Sequence, residues 1–172
     1  KLTAGRPGAS YEGLDNHLYR VEVHEAGALG TATFKWSRDN GSIMTAITPN
    51  EGEAITNDVL RVTQVTVADL GTDDERGFAD GQWVEIVDDE NELHAKPGQL
   101  TKIKGSPDPA TRTITLLNAV DIDLTKRPKL RRWDRWDQVK RPASPDDWTP
   151  LEYGIYVQFG EGTYKTGDYW LT

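Results

Sequence analysis

The chain has 172 residues, of which 36% are hydrophobic and 28% charged, and its formal net charge is -8. This length is sufficient for one domain with a real hydrophobic core or for two small ones. Basic surfaces bind the nucleic-acid backbone, so the negative charge argues against nucleic acid as the main partner. The sequence contains no cysteine, which excludes disulfides and zinc-thiolate sites, and no apolar run is long enough to span a membrane.

The first half of the chain contains a clear hairpin pattern. Apolar and polar residues alternate over 32–37, which is typical of a half-buried strand. Asn40 and Gly41 follow, and this pair suits a type I′ turn because both central positions need a positive φ. We therefore predict a β-hairpin that pairs Phe34–Trp36 with Ile43–Thr45.

The rest of the chain predicts further short strands between turn residues. These strands are expected at 18–24, 60–67, 83–87, 100–103, 111–117, 130–136, 154–159 and 164–171. In the strand at 60–67 the apolar set shifts by one residue, which predicts a β-bulge near Thr63 and Gln64. The last two strands flank a Gly-Glu-Gly turn and are predicted to form a hairpin, with Trp170 largely buried.

The pattern predicts an all-β fold, an antiparallel sandwich or barrel-like set of sheets with hairpins and little helix. No segment of ten or more residues has apolar positions at helical spacing. We expect a single β-rich domain over 1–172 with a compact sub-module at 59–118. Because the sequence begins at Lys1 without an initiator Met, we also expect a fragment of a longer protein.

Residue types for catalysis are present, but their spacing does not propose a reaction. The three histidines His17, His24 and His94 are not at metal-ligand spacing to one another. No serine lies in a Gly-x-Ser-x-Gly elbow, and no glycine-rich phosphate loop precedes a helix. We therefore expect no enzymatic activity and no cofactor.

Two carboxylate clusters offer the oxygen ligands that Ca²⁺ prefers. The candidate metal ligands are Asp73, Asp74, Asp80, Asp88 and Asp89. Neither cluster has the Asp-x-Asp-x-Asp-Gly spacing of a calcium loop, and solvated turn residues are the alternative interpretation. Calcium is thus the candidate ion if any metal is bound.

Aromatic and charged side chains alternate over 129–137, and Trp148 follows in a Pro-rich connection. Exposed indole rings beside such groups can stack on sugar rings, so the candidate ligand-binding residues are Trp133, Arg135, Trp136 and Trp148. The alternative is a structural strand in which arginine side chains cover the tryptophan faces. In an extended strand Trp133 and Trp136 point to opposite faces, which favours the structural alternative.

The segment Tyr11–Ile47, with LYRVEVH and ATFKWSRDNGS, and the ending YKTGDYWLT resemble an uncharacterised bacterial domain family. The resemblance implies a component of phage-tail-like or contractile injection loci, or a secreted protein. It transfers no catalytic residues.

The function expected from the sequence is that of a non-catalytic structural or adhesion module. Its location would be extracellular or particle-associated, in a larger assembly, and its partners would be other parts of the parent protein or assembly subunits. A carbohydrate-binding module that uses exposed tryptophan is the first alternative, with a glycan as partner. A polysaccharide-acting enzyme is the second.

Overall fold

A computed structural model describes residues 2–6, 8, 10, 12–13, 17–52, 54–56, 58–73 and 76–172. The strands in chain order are β1 (Leu2–Ala4), β2 (Arg20–Val23), β3 (Gly27–Ala28), β4 (Thr33–Ser37), β5 (Met44–Thr48), β6 (Leu60–Val67), β7 (Trp83–Val87), β8 (Gln99–Lys102), β9 (Thr113–Ile122), β10 (Lys129–Trp133), β11 (Arg135–Gln138), β12 (Thr149–Pro150), β13 (Tyr156–Phe159), β14 (Thr163–Tyr164) and β15 (Tyr169–Leu171). One α-helix, α1 (Asp89–His94), and one 3₁₀ turn (Leu124–Lys126) complete the described elements. The predicted all-β fold with antiparallel sheets and little helix is confirmed.

The chain divides into two compact units. The first unit comprises residues 1–40 and 136–172, and the second comprises residues 41–135. The proposed sub-module at 59–118 lies inside the second unit. That the whole chain behaves as one domain stays a prediction.

The second unit is a nearly closed, barrel-like sheet with the strand order β8-β7-β10-β5-β6-β9. Ile103, the residue after β8, forms a β-bridge with Leu116 of β9, and this bridge brings the two outer strands together. At the other end of β8, the carboxamide of Gln99 donates to the Asp121 carbonyl across 2.7 Å and accepts from the Asp121 N–H across 2.9 Å. A side chain therefore supplies hydrogen bonds that a backbone ladder would otherwise make, and it joins the two outer strands.

The interior of this sheet holds the core of the second unit. Its buried members are Ile47, Val65, Val67, Phe78, Val84, Ile86, Ile103, Ile114, Leu116, Val120, Ile122 and Leu130. The pairing of β6 with β9 shifts register between Val62 and Gln64, so the predicted bulge is confirmed. The shift explains how one strand can change which residues face the core along its length.

The first unit contains three smaller sheets. The strand orders are β11-β4-β2-β15, β1-β13-β12 and β14-β3. The core between these strands is aromatic-rich, and its buried members are Tyr19, Val21, Val23, Leu29, Ala32, Phe34, Trp36, Val139, Val157, Phe159 and Tyr164. The rings of Phe34 and Phe159 pack with centroids 4.8 Å apart, which joins two of the sheets.

The turn at Asn40 and Gly41 has the predicted backbone, but the predicted hairpin is wrong. The two residues have φ values of 55° and 64°, as a type I′ turn requires. However, β4 pairs with β2 and β11, while β5 pairs with β10 and β6. The first unit ends and the second begins at this turn. The strands before and after it, β4 and β5, therefore belong to different sheets.

The predicted C-terminal hairpin is also wrong. Strand β13 pairs with β1 and β12, β14 pairs with β3, and β15 pairs with β2. The side chain of Trp170 is partly buried against the core of the first unit and packs edge-on against Tyr164, with ring centroids 6.3 Å apart. Each short strand finds a partner that is distant in the sequence.

Candidate functional site

The tryptophan run of the sequence is divided between two sheets. Trp133 ends β10 and is 1% exposed, so neither face of its ring is open to a ligand. Its indole Nε1 donates to Oε2 of Glu85 across 2.9 Å, and the backbone N–H of Gly98 donates to Oε1 of the same carboxylate across 3.2 Å. Trp133 is therefore a structural residue of the second unit.

Arg135 and Trp136 are the first two residues of β11, which belongs to the sheet of β4, β2 and β15. The side chain of Arg135 is exposed and that of Trp136 is half-buried. Because Trp133 is buried, these three predicted residues do not all present a side chain to a ligand.

Trp148, the fourth predicted ligand-binding residue, lines a cavity. A cleft of about 270 Å³ in the first unit is formed by 140–142, 147–150 and the end of β13. Its walls combine the half-buried Trp148 and the buried Phe159 with polar side chains. We refer to it as the Trp148 cleft. Concave sites with an aromatic lining and a few polar groups are typical of small-ligand binding.

The backbone around Trp148 is held by side-chain hydrogen bonds. The amide nitrogen of Gln158 donates to the carbonyl oxygens of Pro145 and Asp147, at 3.0 and 3.1 Å. The carboxylate of Asp147 accepts from the N–H of Ala143 across 2.7 Å. Immediately after Trp148, Thr149 pairs with Val157 in the β12–β13 ladder. The loop that carries the indole is thus tied on both sides to β13.

Charged groups at the cleft are mostly paired with opposite charges. The guanidinium of Arg141 forms an ion pair with Glu161, and the ammonium of Lys140 lies 4.0 Å from a carboxylate oxygen of Asp137. Both basic side chains are 64% exposed. The cleft therefore offers donors and acceptors without a strong net charge.

The sequence reasoning missed Lys140, Arg141 and Gln158 as cleft residues. They lie in a connection and in a predicted strand, and nothing in their spacing relates them to Trp148. The feature of the sequence that could have indicated a cleft is the Pro-rich segment between two strands, because side chains of such a loop can lie together on one side of a sheet.

The first acidic cluster is used for turns. Oδ1 of Asp73 accepts from the N–H of Arg76 across 2.7 Å, and Oδ1 of Asp80 accepts from the N–H of Gly105 across 2.6 Å. Both bonds satisfy backbone donors in exposed loops, which is a common use of aspartate in turns. The third predicted ligand of this cluster, Asp74, lies outside the described residues.

The second acidic cluster forms a helix that the sequence reasoning treated as a loop. Oδ1 of Asp88 accepts from the N–H of Asn91 across 2.8 Å, and the Asn91 side chain accepts from the N–H of Asp88 across 3.1 Å. This reciprocal pair is a capping box that starts α1. The sequence contains the two polar residues of this capping box, three positions apart. None of the helix residues is buried, so the sequence lacks the apolar periodicity by which a helix is usually predicted.

Ion pairs join this helix to neighbouring basic residues. Asp89 pairs with Arg127, and Glu92 lies 2.7 Å from the ammonium of Lys129 and 2.9 Å from the guanidinium of Arg131. The hydrogen bond from Lys126, reinforced by Lys96, lowers the pKa of Glu90 from 4.5 to about 2.

These contacts account for the predicted metal ligands in the described part of the chain. Across the ranges that the structure describes, no group of three or more His, Cys, Asp or Glu side chains is arranged to hold a metal ion. Asp73 and Asp80 each bond to a different loop, and Asp88 and Asp89 serve a helix end and an ion pair. Calcium binding stays an untested prediction.

Comparison with known families identifies the chain at the level of family. The model of a family of unknown function, DUF6519, matches residues 5–172. The chain belongs to this family. None of the curated proteins matches, and neither does any solved structure. Membership in DUF6519 agrees with the resemblance of the sequence to an uncharacterised domain family.

Within the described residues, no helix is long and apolar enough to cross a membrane.

Proposed function

We propose that this DUF6519 chain is a non-catalytic structural or adhesion module of a larger extracellular or phage-tail-like assembly. The observation that carries the proposal is the outer edge of β15. The proposal also draws on the resemblance of the sequence to components of phage-tail-like and contractile injection loci.

Strand β15 is the last strand of its sheet and pairs on one side, with β2. Tyr19 and Thr172 exchange both backbone hydrogen bonds, so in the alternating antiparallel pattern Trp170 also faces β2. The N–H and C=O groups of Tyr169 and Leu171 then point to the outer edge. Among the described residues, these groups have no hydrogen-bond partner.

The outer edge of β15 has the chemistry of a strand-addition site. The side chains of Tyr169 and Leu171 are 51% and 47% exposed, and the guanidinium of Arg20 lies over the Tyr169 ring, 3.8 Å from its centroid. The edge therefore combines unpaired backbone groups with partly exposed apolar surface. Soluble proteins usually protect such edges with charges, proline or a covering segment. An edge of this kind supports the addition of a strand from another subunit or from another part of the parent protein.

The proposal is tested by the location of the tagged chain in cells that carry its gene. We expect it to sediment with high-mass particles in the extracellular or particle fraction. Leu171→Pro removes an outward N–H that does not bond to β2, so the variant should still fold. Because an added strand would need this N–H, the variant should no longer sediment with the particle fraction. A chain that stays in the low-mass cytoplasmic fraction would contradict the proposal.

A carbohydrate-binding module is the second candidate function. The Trp148 cleft favours it, because an indole ring there lies beside both hydrogen-bond donors and acceptors. A polysaccharide-acting enzyme has no comparable observation in its favour.

A further inference from the structure

We propose that the Trp148 cleft binds an uncharged oligosaccharide, with the face of Trp148 as the stacking surface for one pyranose ring. This inference deepens the second candidate function and is independent of the β15 edge.

The cleft has the amphipathic lining that a sugar ring needs. A pyranose presents C–H groups on its faces and hydroxyl groups around its rim. The indole of Trp148 and the ring of Pro142 supply apolar surface next to the buried Phe159, while Gln158 and Thr149 supply polar atoms in the same cavity. Recognition by one aromatic surface and a few convergent polar groups is the usual design of a small-ligand site.

The polar groups of the cleft match hydroxyls, which both donate and accept. The Gln158 amide nitrogen donates to two backbone carbonyls, those of Pro145 and Asp147, and these bonds fix the orientation of the amide. Its oxygen therefore remains as an acceptor in the cleft lining. The ammonium of Lys140 and the guanidinium of Arg141 are donors, and both side chains are 64% exposed.

The charge balance selects an uncharged ligand over an acidic one. Each of the two cations already lies beside a carboxylate, Asp137 for Lys140 and Glu161 for Arg141. The carboxylate of Asp147 adds a further negative charge to the lining. An acidic saccharide would meet three carboxylates against two cations, whereas hydroxyls can bond to both signs.

The site is built in advance of the ligand. Gln158 and Asp147 fix the loop before Trp148, and the β12–β13 ladder fixes the residue after it. A ligand does not then need to order the loop, which lowers the entropic cost of binding.

The experiment is a calorimetric titration of the whole chain with four hexasaccharides. Three are uncharged (cellohexaose, maltohexaose and N-acetylated chitohexaose), and one is a hexamer of uronic acids. We expect at least one uncharged hexasaccharide to bind, and the uronate hexamer to bind much more weakly or not at all. Binding of none of the uncharged sugars, or of the uronate alone, would overturn the proposal.

Variants locate the binding. Trp148→Ala should weaken the binding of the uncharged sugar by about tenfold or more, because it removes the stacking surface. Lys140→Ala, at an exposed side chain, should weaken it by a few fold. The matched control is Trp170→Phe, a change at a half-buried tryptophan of the same unit that does not line the cleft.

Circular dichroism of each variant checks that the fold is retained. Unchanged affinity in both Trp148→Ala and Lys140→Ala would place the sugar elsewhere and overturn the assignment of the site. Because the readout is a titration of the isolated chain, its failure is distinct from a failure of the chain to sediment with particles.

Discussion

The hydrogen bond between Trp133 and Glu85 can be tested by a double-mutant cycle. Both side chains are 1% exposed, and the indole donates to the carboxylate across 2.9 Å. A hydrogen bond to a charged group contributes about 1.5–3 kcal/mol. Trp133→Phe removes this donor and leaves space where part of the ring was. We therefore expect it to lower the free energy of unfolding by about 3–5 kcal/mol.

Glu85→Gln tests the same bond from the acceptor side. The two carboxylate oxygens accept from Trp133 and from the Gly98 N–H, whereas a glutamine offers one oxygen and one NH₂ group. One of the two donors would then face another donor, and we expect a loss of about 2–3 kcal/mol. The double variant should lose less than the sum of the single variants, by about 1.5–3 kcal/mol.

The cycle is measured by urea unfolding, followed by far-ultraviolet circular dichroism so that the loss of a fluorophore does not affect the signal. The control is Trp148→Phe, at a half-buried side chain of the other unit. It should change the free energy of unfolding by less than about 1 kcal/mol. A coupling energy below about 0.5 kcal/mol between Trp133 and Glu85 would refute the reasoning.

Three further predictions concern stability. Gly41→Val should destabilise the fold by about 1–3 kcal/mol in urea unfolding, because a β-branched residue is strained at the observed φ of 64°; a neutral result would contradict the turn. Gly98→Ala should lower the melting temperature by several degrees, since its Cβ would lie 2.5 Å from the carbonyl oxygen of Ile86, and an unchanged melting temperature would show that the backbone yields there. Glu90→Gln should be less stable than wild type at neutral pH and lose that difference at low pH. The Lys126 contact lowers the pKa of the folded state, so its stabilising contribution is present above pH 4.5 and disappears as the pH falls towards 2. A difference that is constant with pH in thermal melts would exclude this contact as the cause.

The positions of many strands could be predicted because their signals are local. Strands β6 and β7 occupy the predicted ranges 60–67 and 83–87, where alternating side chains are bounded by turn residues. The bulge in β6 was also visible as a one-residue shift in the apolar pattern. Each of these features depends on residues within a few positions of one another.

The partners of the strands could not be predicted in the same way. The alternation of β4 fixes which side chains face the core, but it is satisfied equally by a neighbour in sequence or by a distant strand. The type I′ turn after β4 favours a hairpin between β4 and β5, yet β4 pairs with β2 and β11 instead. Strand pairing depends on the hydrophobic surface that each sheet must cover, and that surface is assembled from the whole unit.

For the candidate site, too, a single residue could be predicted from the sequence, whereas the residues that surround it could not. The sequence identified Trp148 as a ligand-binding candidate from its residue type. The groups that make a cleft around it, such as Gln158 and Arg141, come from other elements. Their convergence depends on the pairing of β12 with β13, which was not predicted.

The contrasting fates of Trp133 and Trp148 show what decides whether an aromatic residue is structural or available to a ligand. Trp133 is the last paired residue of β10, opposite Trp83, where it is 1% exposed and a buried carboxylate accepts from its N–H. Trp148 lies one residue before a ladder begins, so its backbone is anchored while no strand neighbour covers its side chain completely. A position just outside the end of a strand therefore combines a fixed backbone with an accessible ring. For this reason, a test of sugar binding in this family should begin with the tryptophan that precedes β12 and not with the tryptophans of the Arg-rich run.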